Sequence, residues 1–370
     1  MVRPQLRFLG LVAAGLMFIA ACGGTSSTGG STPSPKIKVG LVTDTGGLND
    51  KSFNHLAALG LARASATGSI CSVGGLQCTG GLNVQGDVIE SHSGDAYVPN
   101  LTNFASKKYD LVIGNGFLMQ PAIGTVAGQF PNIHFAIVDG ACTDANFADL
   151  KLSNCQDLFF KEQESGALVG AIAALLEKGS KAPKNTHVIS AVGGISIPPV
   201  NHYIAGYKWA AKMFDPSIKV YIGYSNDFND PAKCKSVAQS QIGQQHSEFV
   251  FQVAGGCGLG ALQAAGLAKV YSFGVDADQK DADPSVIASA LKKVDVAVYD
   301  AIKGVVDGQF KGGETRFSLQ NDATGYTLDN PLADGSQLPA DIKAQVDKLA
   351  ADIKSGAQVP PADIPDPKNP

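Results

Sequence analysis

No Gly-x-Ser-x-Gly elbow, no His-Glu-x-x-His pair and no P-loop ending in Gly-Lys-Ser/Thr occurs in the chain, so the common hydrolase, zinc-protease and nucleotide-hydrolase signatures are missing. One glycine-rich stretch, Ala254-Gly255-Gly256-Cys257-Gly258-Leu259-Gly260, follows an apolar run as a phosphate loop would, but it lacks the lysine and the Mg²⁺-binding hydroxyl. The 6 histidines have no ligand spacing and the cysteines form no Cys-x2-Cys pair, which gives no case for a metal site. Basic runs are absent as well: Lys+Arg number 29 against Asp+Glu 33, for a net charge of −4. A nucleic-acid partner is not expected from that balance, and neither enzymatic activity nor a cofactor is expected.

What is present fits a soluble globular protein. At 370 residues, 44% hydrophobic and 17% charged with 43 glycines, the chain exceeds what one hydrophobic core usually serves, so two lobes or an enlarged domain are expected. The first residues read as an address. Arg3 and Arg7 flank a short basic start, and Phe8 to Ala21 is an apolar run too short to span a bilayer. It ends in Ile19-Ala20-Ala21-Cys22-Gly23, which resembles a bacterial lipobox. Residues 1–21 are then a lipoprotein signal peptide, Cys22 the lipidated residue, and 22–36 a flexible Gly/Ser/Thr/Pro tether. A lipid anchor on the outer face of the cell membrane is the implied location. Of 7 cysteines, those other than Cys22 are Cys71, Cys78, Cys142, Cys155, Cys234 and Cys257. Closeness in sequence favours the pairs 71–78, 142–155 and 234–257 in an oxidising compartment.

Along the chain, short β-rich runs alternate with segments of helical period. Strands are expected at 37–43, 82–90, 111–114, 134–138, 188–192, 219–224, 249–253 and 270–275. Helices are expected among others at 52–64, 99–107, 164–177, 202–214, 231–245, 258–268 and 338–355. Strands alternating with helices imply parallel sheets covered on both faces, an α/β fold. Each strand runs into a polar or glycine-rich turn, such as Thr43-Asp44-Thr45-Gly46-Gly47, Gly114-Asn115-Gly116 and Asp276-Ala277-Asp278. In open α/β sheets ligands sit beyond the carboxyl ends of the strands, so these turns should converge on one crevice.

The stretch Thr43 to Asn54 (TDTGGLNDKSFN) resembles the signature of the basic membrane protein family, lipoprotein substrate-binding subunits of ABC importers that include purine nucleoside receptors. The likeness continues in order through Asp110 to Met119, Phe135 to Asp139, Ser225 to Lys233, Phe251 to Gly260, Gly274 to Gln279 and Lys293 to Gly313. It implies a type I periplasmic-binding-protein fold, two Rossmann-like lobes joined by a three-segment hinge. Lobe one would hold residues 37–160 plus 293–322 and lobe two 161–292 plus 323–370. A monomer that binds a small molecule and delivers it to ABC permease subunits is the implied role, with a purine nucleoside as the ligand. The same fold could instead take a flavin, a pyrimidine nucleoside or a furanose, or serve as a surface sensor or adhesin.

A nucleoside offers a flat base and a ribose diol, so its receptor needs aromatic faces and ionised acceptors. The resemblance places Phe53 on one face of the base, and Phe228, in a polar turn, is the candidate for the other, with Phe117 and Tyr203 as further walls. Asp44, Asp139 and Asp276 stand at strand ends, where carboxylates accept charge-assisted hydrogen bonds. Lys292 would supply a nearby cation, although Lys293 suits the spacing equally. Asn54 and Asn115 can each donate and accept toward a base edge. Gly255 and Gly256 would let the backbone approach the ligand closely. His202 reads as a surface or helix-start residue, and the Gly68 to Gly86 segment as a disulfide-closed surface decoration.

Overall fold

The computed structural model describes residues 37–364; the expected signal peptide, lipidated Cys22 and tether lie outside the described residues. Two sheets organise this part of the chain. The first contains β1 (Lys38–Val42), β2 (Ser65–Thr67), β3 (Val84–Ile89), β4 (Leu111–Asn115), β5 (His134–Val138) and β6 (Cys155–Phe160). The second contains β7 (Val188–Gly193), β8 (Lys219–Tyr224), β9 (Phe249–Val253), β10 (Tyr271–Asp276) and β11 (Val286–Lys292). Two late strands complete them, β12 (Gly313–Phe317) beside β6 and β13 (Thr324–Leu328) beside β11. The spatial orders are β12-β6-β5-β4-β1-β3-β2 and β13-β11-β10-β9-β7-β8. Every pairing is parallel except that of β13 with β11.

The central strands are short runs such as Leu-Val-Ile-Gly-Asn and Phe-Val-Phe-Gln-Val, buried at every position. That continuous burial is what parallel strands covered on both faces require. The covers of the first sheet are α1 (Phe53–Ala64), α2 (Tyr97–Ser106) and α3 (Gln120–Gln129). Those of the second are α4 (Glu162–Lys178), α5 (Pro198–Phe214), α6 (Pro231–Gln245) and α7 (Gly255–Ala268). Helix α8 (Val294–Val306) returns to pack on α1, and α9 (Ala340–Ser355) buries Ile342, Val346, Leu349 and Ile353 in the core of the second sheet.

The chain passes between the sheets at three places, after Phe160, after Lys292 and after Phe317. These crossings are tied together: Lys161 N–H donates to Phe317 O at 2.9 Å and Lys293 N–H to Ala323 O at 2.9 Å. Glu164 joins them by accepting from Leu319 N (2.6 Å) and Thr324 Oγ1 (3.0 Å).

Several sequence expectations change. Helix α5 begins at Pro198 rather than His202, because prolines suit a first turn whose N–H groups have no intrahelical partner. Helix α7 begins at Gly255, so the glycine pair opens a helix instead of forming a loop. The segment closed by Cys71–Cys78 is more than surface decoration, since its Ile70 is fully buried in the first core. Strands β2, β6, β11, β12 and β13 were not expected. Disulfides join Cys71 to Cys78, Cys142 to Cys155 and Cys234 to Cys257.

Helices α4 and α5 approach unusually closely. A Cβ placed on Gly166 would lie 2.1 Å from Tyr203 O, one on Gly170 2.2 Å from Tyr207 O, and one on Gly206 1.9 Å from Gln163 O. Backbone therefore rests on backbone along this seam, and the seam fixes Glu162 and Tyr203 beside each other. Gly170→Val should force the helices apart and destabilise the fold by about 1–3 kcal/mol. Urea denaturation checks this, and an unchanged midpoint would refute the close seam.

Candidate functional site

Between the carboxyl ends of the two sheets lies a cavity lined by residues of both. Its lining draws on the turn after β1, on α1, and on the ends of β4 and β5 from the first sheet. The second sheet contributes α5, the turn after β8, and the ends of β9, β10 and β11.

The turn after β1 is organised by a residue the sequence reading passed over. Asp50 is buried and accepts from Ser52 N (3.0 Å), Asn54 N (2.7 Å) and His55 N (3.0 Å). It thereby caps α1 from two residues before the helix's own cap position, satisfying first-turn donors. An Asp shortly before a helical run is the kind of start signal that could have revealed it. Burial outweighs those donors and pushes the Asp50 carboxyl up to about 6. Asn54 Nδ2 donates to Asp50 (3.1 Å), while its Oδ1 accepts from Asp44 N and Asn115 Nδ2, each at 3.0 Å.

Asn54 thus lines the cavity but spends its oxygen on internal bonds. Asn115 is fully buried behind it and does not line the cavity. Neither asparagine is free to read a base edge with its full amide, because Asp44 N and Asn115 Nδ2 already claim the Asn54 oxygen and Asn115 does not reach the cavity. Asp44 is held by Thr45 N (2.6 Å) and Tyr97 Oη. Burial, the largest influence, raises its carboxyl despite these bonds.

Asp139 and Asp276 follow one design. Each ends a central strand with a left-handed backbone, φ 64° and 63°, a conformation that costs a non-glycine residue energy and is kept where a site requires it. Asp276 accepts from Ser52 Oγ (2.6 Å) and Tyr203 Oη (2.9 Å). Asp139 Oδ2 accepts from Lys292 Nζ at 2.5 Å, whereas its buried Oδ1 has no hydrogen-bond partner among the described residues.

Lys292 resolves the choice between adjacent lysines: its side chain is 2% exposed, while Lys293 is exposed. Its ammonium bonds Asp139 and, at 2.9 Å, Glu162 Oε1, and lies 5.1, 5.0 and 5.9 Å from the ring centres of Phe53, Phe160 and Tyr203. Burial would lower its pKa, but the charges of Asp139, Glu162 and Asp276 outweigh that and hold it above the usual lysine range. For Glu162 burial is likewise overcome, by Lys292 and His202, and its carboxyl sits below the usual range. Asp139 and Asp276 are raised by burial, which Lys292 only partly offsets. Glu162 escaped sequence reading because it starts α4 at a crossing between sheets, away from any strand-end turn. His202 is no simple surface residue, since its Nδ1 sits 2.9 Å from Glu162 Oε2.

The remaining walls are apolar. Phe53 and Phe117 come from the first sheet's side, and Ile197, Val200, Tyr203 and Phe228 from the second's. Phe117 stacks on Phe147, ring centres 5.5 Å apart. Room for the Phe228 ring exists because residue 194 is glycine, whose Cβ would fall 2.3 Å from it. Gly255 lines the cavity with φ 54°, but Gly256 does not; a Cβ there would face Phe228 O at 3.4 Å. A Cβ at either glycine would make only ordinary contact with that oxygen, so glycine is favoured at 255 by its positive φ rather than by space. Behind the Phe228 turn, Cys257 N–H donates to Phe228 O (2.9 Å), and the Cys234–Cys257 bridge ties α6, which follows that turn, to α7.

Comparison with known proteins places this geometry in a lineage. A family model described as ABC transporter substrate-binding protein, PnrA-like, matches residues 37–356. A lipoprotein of Pyrococcus horikoshii is 34% identical over 334 residues, 87% of this chain and 76% of that protein. The ABC transporter nucleoside-binding protein BmpA of Lactococcus lactis is 31% identical over 373 residues, 95% of this chain and 97% of that one. Among solved structures, an ABC transporter solute-binding protein from Aeropyrum pernix superposes with a TM-score of 0.72 at 28% identity, covering 88% of this chain and 94% of that one.

Two outcomes follow from the electrostatics. Lys292→Met leaves buried Asp139 without its cation and Glu162 with His202 alone and should cost about 3–5 kcal/mol, with part recovered when Asp139→Asn and Glu162→Gln are added; urea denaturation reads both. Raised carboxyls also tie ligand-free stability to pH. Asp50 is pushed up to about 6 and Glu177, buried at the end of α4, to about 7. Both hold protons more tightly folded than unfolded, so the stability present at acid pH declines as pH rises from about 4 to about 7. Melting temperatures at pH 5 and 7.5 should fall in that order, and Glu177→Gln should flatten the slope.

Proposed function

The chain belongs to the family of PnrA-like ABC transporter substrate-binding proteins, and we propose that within it this chain is a lipid-anchored extracytoplasmic receptor that closes on a purine nucleoside. The observation that carries the reading is the cavity itself. Phe53 and Phe228 line it from opposite sheets, together with the carboxylates of Asp44, Asp50, Asp139 and Asp276. Stacking a base on such an aromatic contributes about 1–3 kcal/mol per contact. The unpartnered Asp139 Oδ1 suits a ribose hydroxyl or base N–H, because a buried acceptor left unmade is costly and a donor from the ligand removes that cost. The nucleoside in the printed name of the Lactococcus relative agrees with this chemistry.

Residues 37–160 with 293–322 form one lobe in this reading, and 161–292 with 323–370 the other. The three tied crossings act as the hinge. Ligand contacts made by both lobes favour the closed form, which alone presents the surface that the permease recognises. Nothing in this cycle makes or breaks a covalent bond, so the role is not enzymatic. Lipidation of Cys22 would keep the receptor at the membrane; among the described residues no helix is long and apolar enough to cross one.

The acceptor-rich lining also sets a direction of selectivity. Asp44, Asp50, Asp139 and Asp276 face the cavity with Lys292, which carboxylates already neutralise. A 5′-phosphate would meet net negative charge and bind far more weakly than the free nucleoside.

Calorimetry with inosine, guanosine, adenosine, ribose, riboflavin and inosine monophosphate tests the reading. Tight binding of the purine nucleosides alone is expected, with Phe53→Ala and Phe228→Ala each weakening it at least about fivefold, the low end of base stacking. Binding of riboflavin or a sugar alone would keep the receptor and discard the purine. Unchanged affinity in both variants would discard the aromatic walls.

A further inference from the structure

The turn between β1 and α1 does more than line the cavity. It is gripped from the second sheet at points that touch no part of the cavity. At its start, Thr45 O accepts from Asn229 Nδ2 at 2.6 Å. Near its end, Lys51 O accepts from Gln279 Nε2 at 3.3 Å. Neither Asn229 nor Gln279 is among the cavity-lining residues. Lys51 takes a left-handed backbone, φ 52°, so its carbonyl is presented to Gln279 at a conformational cost.

Both grips are rigidly mounted. Gln279 is buried, and its Oε1 accepts from Gln252 Nε2 (2.6 Å) and Val275 N (3.0 Å), which leaves the amide nitrogen aimed outward. Asn229 is exposed, but its turn is fixed by Asp227, whose Oδ1 accepts from Asn229 N (2.6 Å) and Asp230 N (2.9 Å) while Oδ2 pairs with Lys233 at 2.6 Å. The Lys233 bond, with help from those backbone donors, holds the Asp227 carboxyl down at about 2. The Cys234–Cys257 bridge anchors the base of the same turn. A short side chain held this firmly loses little freedom on reaching across to Thr45.

We propose that Asn229 is a closure latch: a positioning residue that sets how much of the ligand-free protein is already closed, without contacting the ligand. The proposal rests on the reading that the two lobes close on a ligand. If the closed form alone binds tightly, apparent affinity is the intrinsic affinity scaled by the closed fraction. Loss of the latch then weakens every ligand by one common factor. A residue that reads the ligand would instead change the ratios among ligands.

The test uses the full chain in detergent micelles, as wild type, Asn229→Ala and Asn229→Asp. Inosine, guanosine and adenosine are titrated by calorimetry, and hydrogen exchange of the 44–52 amides is followed without ligand. Asn229→Ala should weaken all three nucleosides by the same factor, about three- to tenfold for one hydrogen bond, and speed exchange in the turn. Asn229→Asp should do at least as much, because a carboxylate then faces the Thr45 carbonyl. Unchanged affinity and exchange in both variants would overturn the latch, as would weakening that differs among the nucleosides. If no nucleoside binds, exchange decides alone: faster exchange keeps the latch and removes the purine reading, while unchanged exchange removes both.

Discussion

One buried ammonium constrains everything around it. Lys292 Nζ is hydrogen-bonded to Asp139, at the end of a first-sheet strand, and to Glu162, at the start of the first helix after the crossing. Asp276, at the end of a second-sheet strand, adds its charge to the same lysine. A charge this deep is tolerated only when it is paired and its bonds are satisfied. The pairing in turn requires both sheets to end at the same point, so the cation works as a registration mark between them. Each surrounding feature serves that requirement: the left-handed turns that aim Asp139 and Asp276 inward, Tyr203 and Ser52 on Asp276, and His202 on Glu162.

The supporting geometry is built from close backbone approach. Glycines 166, 170 and 206 let α4 and α5 touch, which puts Glu162 and Tyr203 on adjacent sides of the lysine. Glycine at 194 makes room for the Phe228 ring. The Cys234–Cys257 bridge then removes freedom from the turn that carries Phe228. An aromatic wall mounted this way enters binding already ordered, so less of its stacking energy is lost to immobilisation.

The polar groups divide into those already satisfied and those left open. Asp50, Asn54 and Asp276 are occupied by protein donors, whereas Asp139 Oδ1 is not. A site whose surrounding carboxylates are held by protein donors enters binding preorganised. The cavity's outline comes from the apolar residues of α5 and the two phenylalanines, and its orientation preference from the carboxylates.

Much of this was legible in the sequence. Alternating buried runs and helical periods gave the α/β class, because both patterns follow from local geometry and side-chain periodicity. Strand-end turns pointed to Asp44, Asp139 and Asp276, and a phenylalanine stranded in a polar turn pointed to Phe228, since each is anomalous in its own neighbourhood. Strands β6, β11, β12 and β13 were less visible, as two flank the crossings and two lie at sheet edges with mixed composition. Asn115 and Gly256 lie in the right turns, yet they back the site rather than face it.

By itself, then, the sequence determined the class of fold, the turns that converge and the residue types that meet there. Tertiary structure alone decided which of two adjacent lysines is buried, that Glu162 belongs to the site, and which carboxylate oxygen stays open. The burial of Lys292, the place of Glu162 and the open oxygen of Asp139 depend on pairings between residues 100 or more positions apart, Lys292 with Asp139 and Glu162. Local patterning carries no record of such pairs, because desolvation and Coulomb energy are fixed only once distant charges share one low-dielectric space.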